Sequence, residues 1–297
     1  MHLSIVEKNI IALHYYFPAP MNRYRALLRV DPELQHISSM PTSQLATLLN
    51  LPFDKAHHLK LCLEEYTVTQ LCDMYTAEQI IPIPFMHPHY PKQLQELIDP
   101  PTVLYAQGDI QLLKRMRKVA IIGARKATVY SEKALSYIIP PLVQEEVVVV
   151  SGLAKGADRM AHEGAIRYGG ATIAVLGHGF SHLYPKEHRQ LKEQLVKSHL
   201  VITEYPPYVR PAKWTFPMRN RIISGLSDAI IVTESKRKSG TMSTIDHGLD
   251  HGKEIFAVPG PIHSTLSEGP NFLIHEGATP ITNGFQVVKF YEEKLKR

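Results

Sequence analysis

From residue 119 onward, short apolar runs rich in β-branched residues alternate with longer amphipathic stretches. The runs are Val119–Ile122, Val147–Val150, Thr172–Leu176, Leu200–Thr203, Ala229–Thr233 and Glu254–Val258. Their starts are about 25–29 residues apart, the length of one strand–helix repeat. The runs are apolar throughout rather than alternating, which indicates strands buried on both faces and so a parallel sheet. The pattern predicts an α/β fold: an extended Rossmann-like, doubly wound, mostly parallel sheet. A last strand over Thr279–Thr282 and a helix over Gln286–Lys294 would complete it.

The first 80 residues follow a different rhythm. Ile10, Ile11, Leu13 and His14 open an apolar helix, and Tyr24, Leu27 and Leu28 continue the pattern. Ser43–Leu49 and Lys55–Leu63 repeat it, with Pro32, Pro41 and Pro52 between them. Proline cannot continue a helix, so these positions separate short ones. Residues 1–80 are therefore expected to form a small all-α domain, and 81–297 the sheet domain. Within the latter, 81–115 carries Pro82, Pro84, Pro88, Pro91, Pro100 and Pro101. That stretch reads as an extended connector with a short helix at Gln93–Ile98 and a strand at Thr102–Ala106.

Composition adds limits. The 297 residues are 44% hydrophobic and 21% charged, ordinary for a globular protein. No apolar run approaches the roughly 20 residues that span a bilayer. The N-terminus lacks the basic and apolar segments of a signal peptide. Two cysteines, Cys62 and Cys72, do not make a disulfide framework, and a cytoplasmic location is expected. Charge is uneven: residues 1–80 hold 6 Lys/Arg against 8 Asp/Glu, which leaves 27 against 20 in the remainder. The basic excess belongs to the sheet domain and suggests a polyanionic partner there.

In a doubly wound sheet, ligands meet the loops at the strand carboxyl ends. These loops are rich in glycine and cations: Gly123-Ala124-Arg125, Ser151-Gly152-Leu153-Ala154-Lys155-Gly156-Ala157-Asp158, Gly177-His178-Gly179 followed by Tyr184-Pro185-Lys186, and Glu234 through Thr241. Glycine lets backbone N–H groups approach an anion, and a following helix aims its positive end at it. Another loop leads into Thr215-Phe216-Pro217-Met218-Arg219-Asn220-Arg221-Ile222. Pro217 suits the first helical position, which puts two arginines in the opening turn. Cations there oppose the helix dipole unless an anion is bound. The alternative is a pair of solvated arginines with Phe216 in the core. Residues i and i+2 of a helix point about 200° apart. Arg219 is therefore the candidate for an anion, and Arg221 a brace. Trp214 and Phe216 flank this loop as candidates for base stacking or for core packing.

Other chemistries fit poorly. The first loop lacks the later glycines of a dinucleotide fingerprint, and no Walker pattern is present. His247 and His251 are spaced for a metal, but no glutamate follows the first histidine. No nucleophile elbow occurs. Neither a catalytic group, a cofactor nor a metal is expected.

Together these loops resemble the DNA-processing protein A family (DprA, also called Smf). The matching segments are Gly123-Ala124-Arg125, Ser151–Asp158 with Ala161-His162, Ile173–Gly177 with Tyr184-Pro185, Phe216–Ile223, Ser239-Gly240-Thr241 and Ala257-Val258-Pro259-Gly260. Tyr90-Pro91 and Pro100–Tyr105 match the extension before the sheet. The resemblance implies a protein that binds single-stranded DNA without sequence preference, forms a homodimer and loads RecA recombinase during natural transformation. Contact with single-strand-binding protein is a further implied partnership. Carried over by motif, Arg125, Lys155, Gly156, Lys186, Arg219, Asn220, Arg221, Ser239, Gly240 and Thr241 form the nucleic-acid site. Ala124 and Ala157 depart from the family's usual serine and isoleucine. The C-terminal winged-helix module of many members is not expected, and the helical N-terminal part resembles the sterile-alpha-motif-like module of some. A nucleotide phosphoribohydrolase shares a similar Gly-Thr loop, but Thr244 stands where its catalytic glutamate belongs.

Overall fold

The computed structural model describes residues 3–65 and 68–295. Residues 66 and 67 of the expected helical domain, and both chain ends of the expected domains, lie outside them. Helices α1 (Ile5–Tyr16), α2 (Arg25–Val30), α3 (Thr42–Leu49), α4 (Phe53–Glu65) and α5 (Val68–Ala77) come first. Then follow β1 (Ile81–Pro84), α6 (Lys92–Gln95), β2 (Val103–Gly108), β3 (Lys118–Ile122), α7 (Val129–Gln144), β4 (Val148–Ser151), α8 (Ala157–Arg167) and β5 (Thr172–Leu176). The chain continues through α9 (Arg189–Ser198), β6 (Leu200–Thr203), α10 (Thr215–Leu226), β7 (Ala229–Val232), α11 (Gly240–Asp250), β8 (Glu254–Ala257), α12 (Glu268–His275), β9 (Thr279–Pro280) and α13 (Phe285–Leu295).

The strands form one sheet in the order β1-β2-β6-β5-β4-β3-β7-β8-β9. All neighbours run parallel from β6 to β9, while β2 is antiparallel to both β1 and β6. The α/β expectation therefore holds, with strand positions displaced by a residue or two. The direction of winding reverses at β3, which lies between β4 and β7. This reversal opens a crevice beyond the carboxyl ends of β3 and β7.

β1 was not expected as a strand, because its sequence is Ile-Pro-Ile-Pro. It is tolerated because β1 is an edge strand that pairs only with β2. Pro82 and Pro84 share one parity, so neither needs to donate into a ladder from a central position. The helix expected over Gln93–Ile98 is the shorter α6.

Side chains of alternate parity bury both faces of the sheet. Ala120, Val150, Val175 and Val232 pack with Ile222 and Ile223 of α10 and Ile245 of α11. Val119, Ile121, Val149 and Ile231 pack with Leu135 and Ile138 of α7 and Val287 of α13. The N-terminal helices share a core with the sheet: Ile11, Leu71 and Tyr75 cluster with Val103, Tyr105, Ala174 and Val201. Tyr105 also meets His14 Nδ1 through its hydroxyl at 2.9 Å. A second cluster, including Ile10, Leu27, Leu45 and Leu49, belongs to the helices alone.

Ile11 is 1% exposed within the shared cluster. Ile11→Ala is expected to destabilise the whole chain by about 2–4 kcal/mol, the cost of a buried cavity. Urea denaturation checks this; a loss under about 0.5 kcal/mol, as for surface substitutions, would show that the helices rest only loosely on the sheet.

Candidate nucleic-acid interface

The crevice is built where loops from four strands approach within van der Waals contact, and glycine makes that approach possible. Gly156 has φ +72°, and a Cβ there would lie 2.3 Å from the Ala124 carbonyl oxygen. It joins the loop after β4 to the loop after β3, where Ala157 N–H donates to Ala124 O at 3.2 Å. Gly156 is thus a structural support for Arg125, whose backbone it abuts.

Arg125, Arg219, Asn220, Ser239, Gly240 and Thr241 all line one cleft of about 700 Å³ at the strand carboxyl ends. Lys126, Lys213 and Lys236 line it too, and all three are exposed. A volume in this range accommodates a small ligand or a stretch of polymer. Asn220 Nδ2 donates to Gly240 O at 3.4 Å and Thr241 Oγ1 donates to Gly123 O at 3.2 Å. These bonds hold the first turn of α11 over the loop after β3. The Ser239 side chain makes no capping bond to α11. The first N–H groups of that helix are therefore not satisfied by its own cap, and they carry the positive end of the helix dipole.

Lys155 stands on the rim of a smaller recess shared with Arg125, Arg219, Tyr184 and Phe216. It pairs with Glu187, and both partners are about half exposed. An exposed pair of this kind is worth little in water. Lys186 does not join the cleft. It faces a second groove on the far side of Tyr184.

The two arginines of α10 differ from the sequence expectation in position. Helix α10 begins at Thr215, so Pro217 is its third residue and Arg219 and Arg221 fall in the second turn. The proline remains within the first turn, where backbone N–H groups have no intrahelical acceptor. Both arginines are buried, each 5% exposed. Arg219 Nη1 donates to Val175 O at 2.6 Å and also to Gly152 O. A Cβ on Gly152 would collide with the guanidinium, so glycine is required beneath it. Burial pulls the Arg219 pKa below its ordinary value, while the charge of Asp158 acts the other way. Burial likewise raises Asp158, opposed by Arg219 and by the N–H groups of Ala154 and Gly152. Arg219 thus forms the floor of the cleft.

Arg221 is a correction to the expected contact set. It points to the opposite side of the helix and pairs with the buried Glu204 at 2.5 Å. Burial pushes the Glu204 carboxyl up, and the Arg221 charge pulls it down. A side chain committed there does not reach the strand-end surface.

The aromatic residues separate cleanly. Trp214 is 62% exposed and meets Tyr205 edge-on at 6.0 Å. Phe216 is half-buried, 5.6 Å from the Tyr184 ring, with the Arg125 guanidinium 5.7 Å from its centroid. Stacking with Phe216 holds Arg125 over the cleft.

Glu234 has a role that sequence reading missed. It is 3% exposed at the end of β7. Its carboxylate accepts from Thr128 N at 2.7 Å, Thr128 Oγ1 at 2.9 Å and Ser131 Oγ at 2.8 Å. It therefore occupies the N-terminus of α7, where a Rossmann dinucleotide would place its pyrophosphate. The only sequence signal was an acidic residue directly after an apolar run. Thr244 is 2% exposed on α11, so the hydroxyl replacing the phosphoribohydrolase glutamate is buried. Among the described residues, no group of His, Cys, Asp or Glu is arranged to hold a metal ion. No helix of the described residues is long and apolar enough to cross a membrane.

The fold and its cleft define an extended Rossmann-like α/β protein with a basic, glycine-lined crevice at the strand carboxyl ends. Residues 82–292 match the model of the family described as DNA recombination-mediator protein A, and the chain belongs to that family. The DNA processing protein DprA of Bacillus subtilis is 39% identical over 268 residues, covering 90% of this chain and 89% of the relative. The crystal structure of DprA from Streptococcus pneumoniae matches with a TM-score of 0.83 at 32% identity, covering 97% of this chain and 98% of that one. A Helicobacter pylori DNA processing protein A structure, described for its single-stranded DNA binding mode, matches with a TM-score of 0.66 at 30% identity. It covers 73% of this chain and 97% of its own.

Arg221→Met leaves Glu204 buried without its partner and is expected to cost about 3–5 kcal/mol. Glu204→Leu combined with Arg221→Met should recover most of that loss, as read from denaturant unfolding. A double variant as unstable as the single one would show that Arg221 acts through other contacts.

Proposed function

We propose that this protein binds single-stranded DNA, without regard to sequence, across the carboxyl ends of its sheet and loads RecA recombinase onto it during natural transformation. The carrying observation is the cleft itself: Arg125, Lys126, Lys213 and Lys236 line it together with the amino-terminal turn of α11. Guanidinium and ammonium groups with aligned backbone N–H groups form an anion site that suits successive phosphates. Phosphate contacts of this kind carry no sequence information, so binding in this reading depends on the backbone and on stacking. Exposed Trp214 offers a ring to a base, and Phe216 offers a smaller face. Ser239, Gly240 and Thr241 hold a phosphate at the helix start, with Asn220 keeping that turn in place. Lys155 can exchange Glu187 for a phosphate at little cost, because an exposed ion pair is weak.

Membership of the recombination-mediator family supports this reading. Among the described residues, the carboxylate lining the cleft is Asp158, and it lies beside the Arg219 charge. In this reading the protein acts by binding, as a cytoplasmic homodimer that meets RecA and single-strand-binding protein on the same DNA.

Fluorescence anisotropy with labelled oligonucleotides tests the site. Log K should fall linearly with log salt, with a slope near −0.7 per phosphate neutralised. Arg125→Ala with Lys155→Ala should flatten the slope by about 1.4 and weaken binding at least tenfold at low salt. Trp214→Ala should cost about 1–3 kcal/mol irrespective of base composition. Binding by the double variant equal to that of the native chain would overturn the proposed cleft.

A further inference from the structure

A second basic groove lies beside the cleft. Its walls are α9, the loop around Tyr208–Pro211 and the ends of α5 and β2, which contribute Gln79 and Gln107. The sequence of α9 places Arg189, Lys192, Val196 and Lys197 on one face, with Leu191 and Leu195 buried on the other. Arg210 and Lys186 line the same groove. Glu193 is the one acidic residue lining the groove. Among the described residues, none of these cations forms an ion pair with a carboxylate. Lys192 is half-buried, with its ammonium donating to Phe180 O at 3.2 Å and lying 5.4 Å from the Phe180 ring. Burial and the like charge of Arg189 pull its pKa below the usual lysine value. So many cations facing one space repel each other unless an anion lies between them.

The groove and the strand-end cleft are neighbours that share one lining residue, Tyr184. Tyr184 lines the groove, the recess and the cleft alike, and its ring is 48% exposed. We infer that a single DNA strand leaving the cleft passes over Tyr184 and continues into this groove, its phosphates held by Lys186, Arg189, Lys197 and Arg210. This rests on the proposed binding at the cleft and extends it to a second segment of the same strand. The ligand class is a polyanionic backbone, because the groove is open and gathers Lys186, Arg189, Lys192, Lys197 and Arg210 rather than enclosing a polar pocket for a single nucleotide. Gln79 adds an amide to the same path, and Gln107, whose Nε2 donates to Glu78 O at 2.9 Å, has a second N–H beside it. The N-terminal helices then contribute to binding through the end of α5.

The test uses the full chain with two oligonucleotides of about 6 and about 20 nucleotides, within and beyond the span of a single small binding module. The variant carries Arg189→Ala, Lys197→Ala and Arg210→Ala, all at exposed positions. The expected result is unchanged affinity for the short oligonucleotide and at least tenfold weaker binding of the long one. The salt slope for the long strand should also flatten by about 2, three contacts at about 0.7 each. Tyr184→Ala should weaken the long strand more than the short one. If the native chain binds both lengths and the triple variant keeps native affinity and slope for the long strand, the groove is not on the path. If the native chain binds neither, the cleft reading itself fails. Equal weakening of both lengths by the triple variant would place these residues within the first site and overturn a second segment.

Discussion

One buried guanidinium ties the strand ends of this protein together. Arg219 reaches from α10 beneath the sheet's carboxyl edge and donates to the carbonyls of Gly152 and Val175, which follow β4 and end β5. A charge taken out of water is costly unless it is hydrogen-bonded and balanced. Here the balance comes from two carbonyls and from Asp158 nearby. The glycine at 152 follows from that arrangement, because any side chain would fill the guanidinium's place. The loop carrying Lys155 and the helix carrying Asn220 therefore keep a fixed relation to each other. A fixed array of donors binds a phosphate backbone without paying to organise itself at each encounter.

The opposite side of the crevice rests on a carboxylate. Glu234 fills the amino-terminal end of α7 and ties β7 to the loop after β3. The protein thus spends one of its two switch-point helix termini on its own side chain. The other, at the start of α11, has no such side-chain cap. The two termini therefore differ in what they leave open. The Glu234 carboxylate removes the pyrophosphate position and leaves an open, basic cleft that an extended polymer can cross.

Much of this was legible in the sequence. Each apolar run from Val119 to Val258 became a strand, because burial on both faces demands a continuous apolar segment wherever it lies in the sheet. Arg125, Arg219, Asn220 and Ser239–Thr241 came to one edge, because doubly wound topology sends alternate loops there. The divergence of Arg219 and Arg221 also followed from helical geometry. What could not be read was which neighbour each side chain would meet. Arg221 meets Glu204 only because the residue that follows β6 is brought beside α10, and Lys186 lies on the far side of Tyr184 from the cleft. The strand at Ile81–Pro84 was hidden for a similar reason: its prolines are acceptable only at a sheet edge, and edge position is not a local property.

The sequence alone determined the fold class, the run of strands from Val119 to Val258 and the set of glycine-rich, cationic loops at the strand ends. Those features are encoded by periodicity and by backbone requirements that each short segment carries within itself. Tertiary structure alone decided which cations are exposed and which are sunk into the interior. It also decided that the helical N-terminal part shares a core with the sheet, and that the α9 face looks onto a groove that meets the cleft at Tyr184. Exposure and pairing depend on what the rest of the chain places opposite a residue. A run such as Arg219-Asn220-Arg221 therefore holds two buried arginines of opposite orientation, although nothing in its composition distinguishes it from a surface patch.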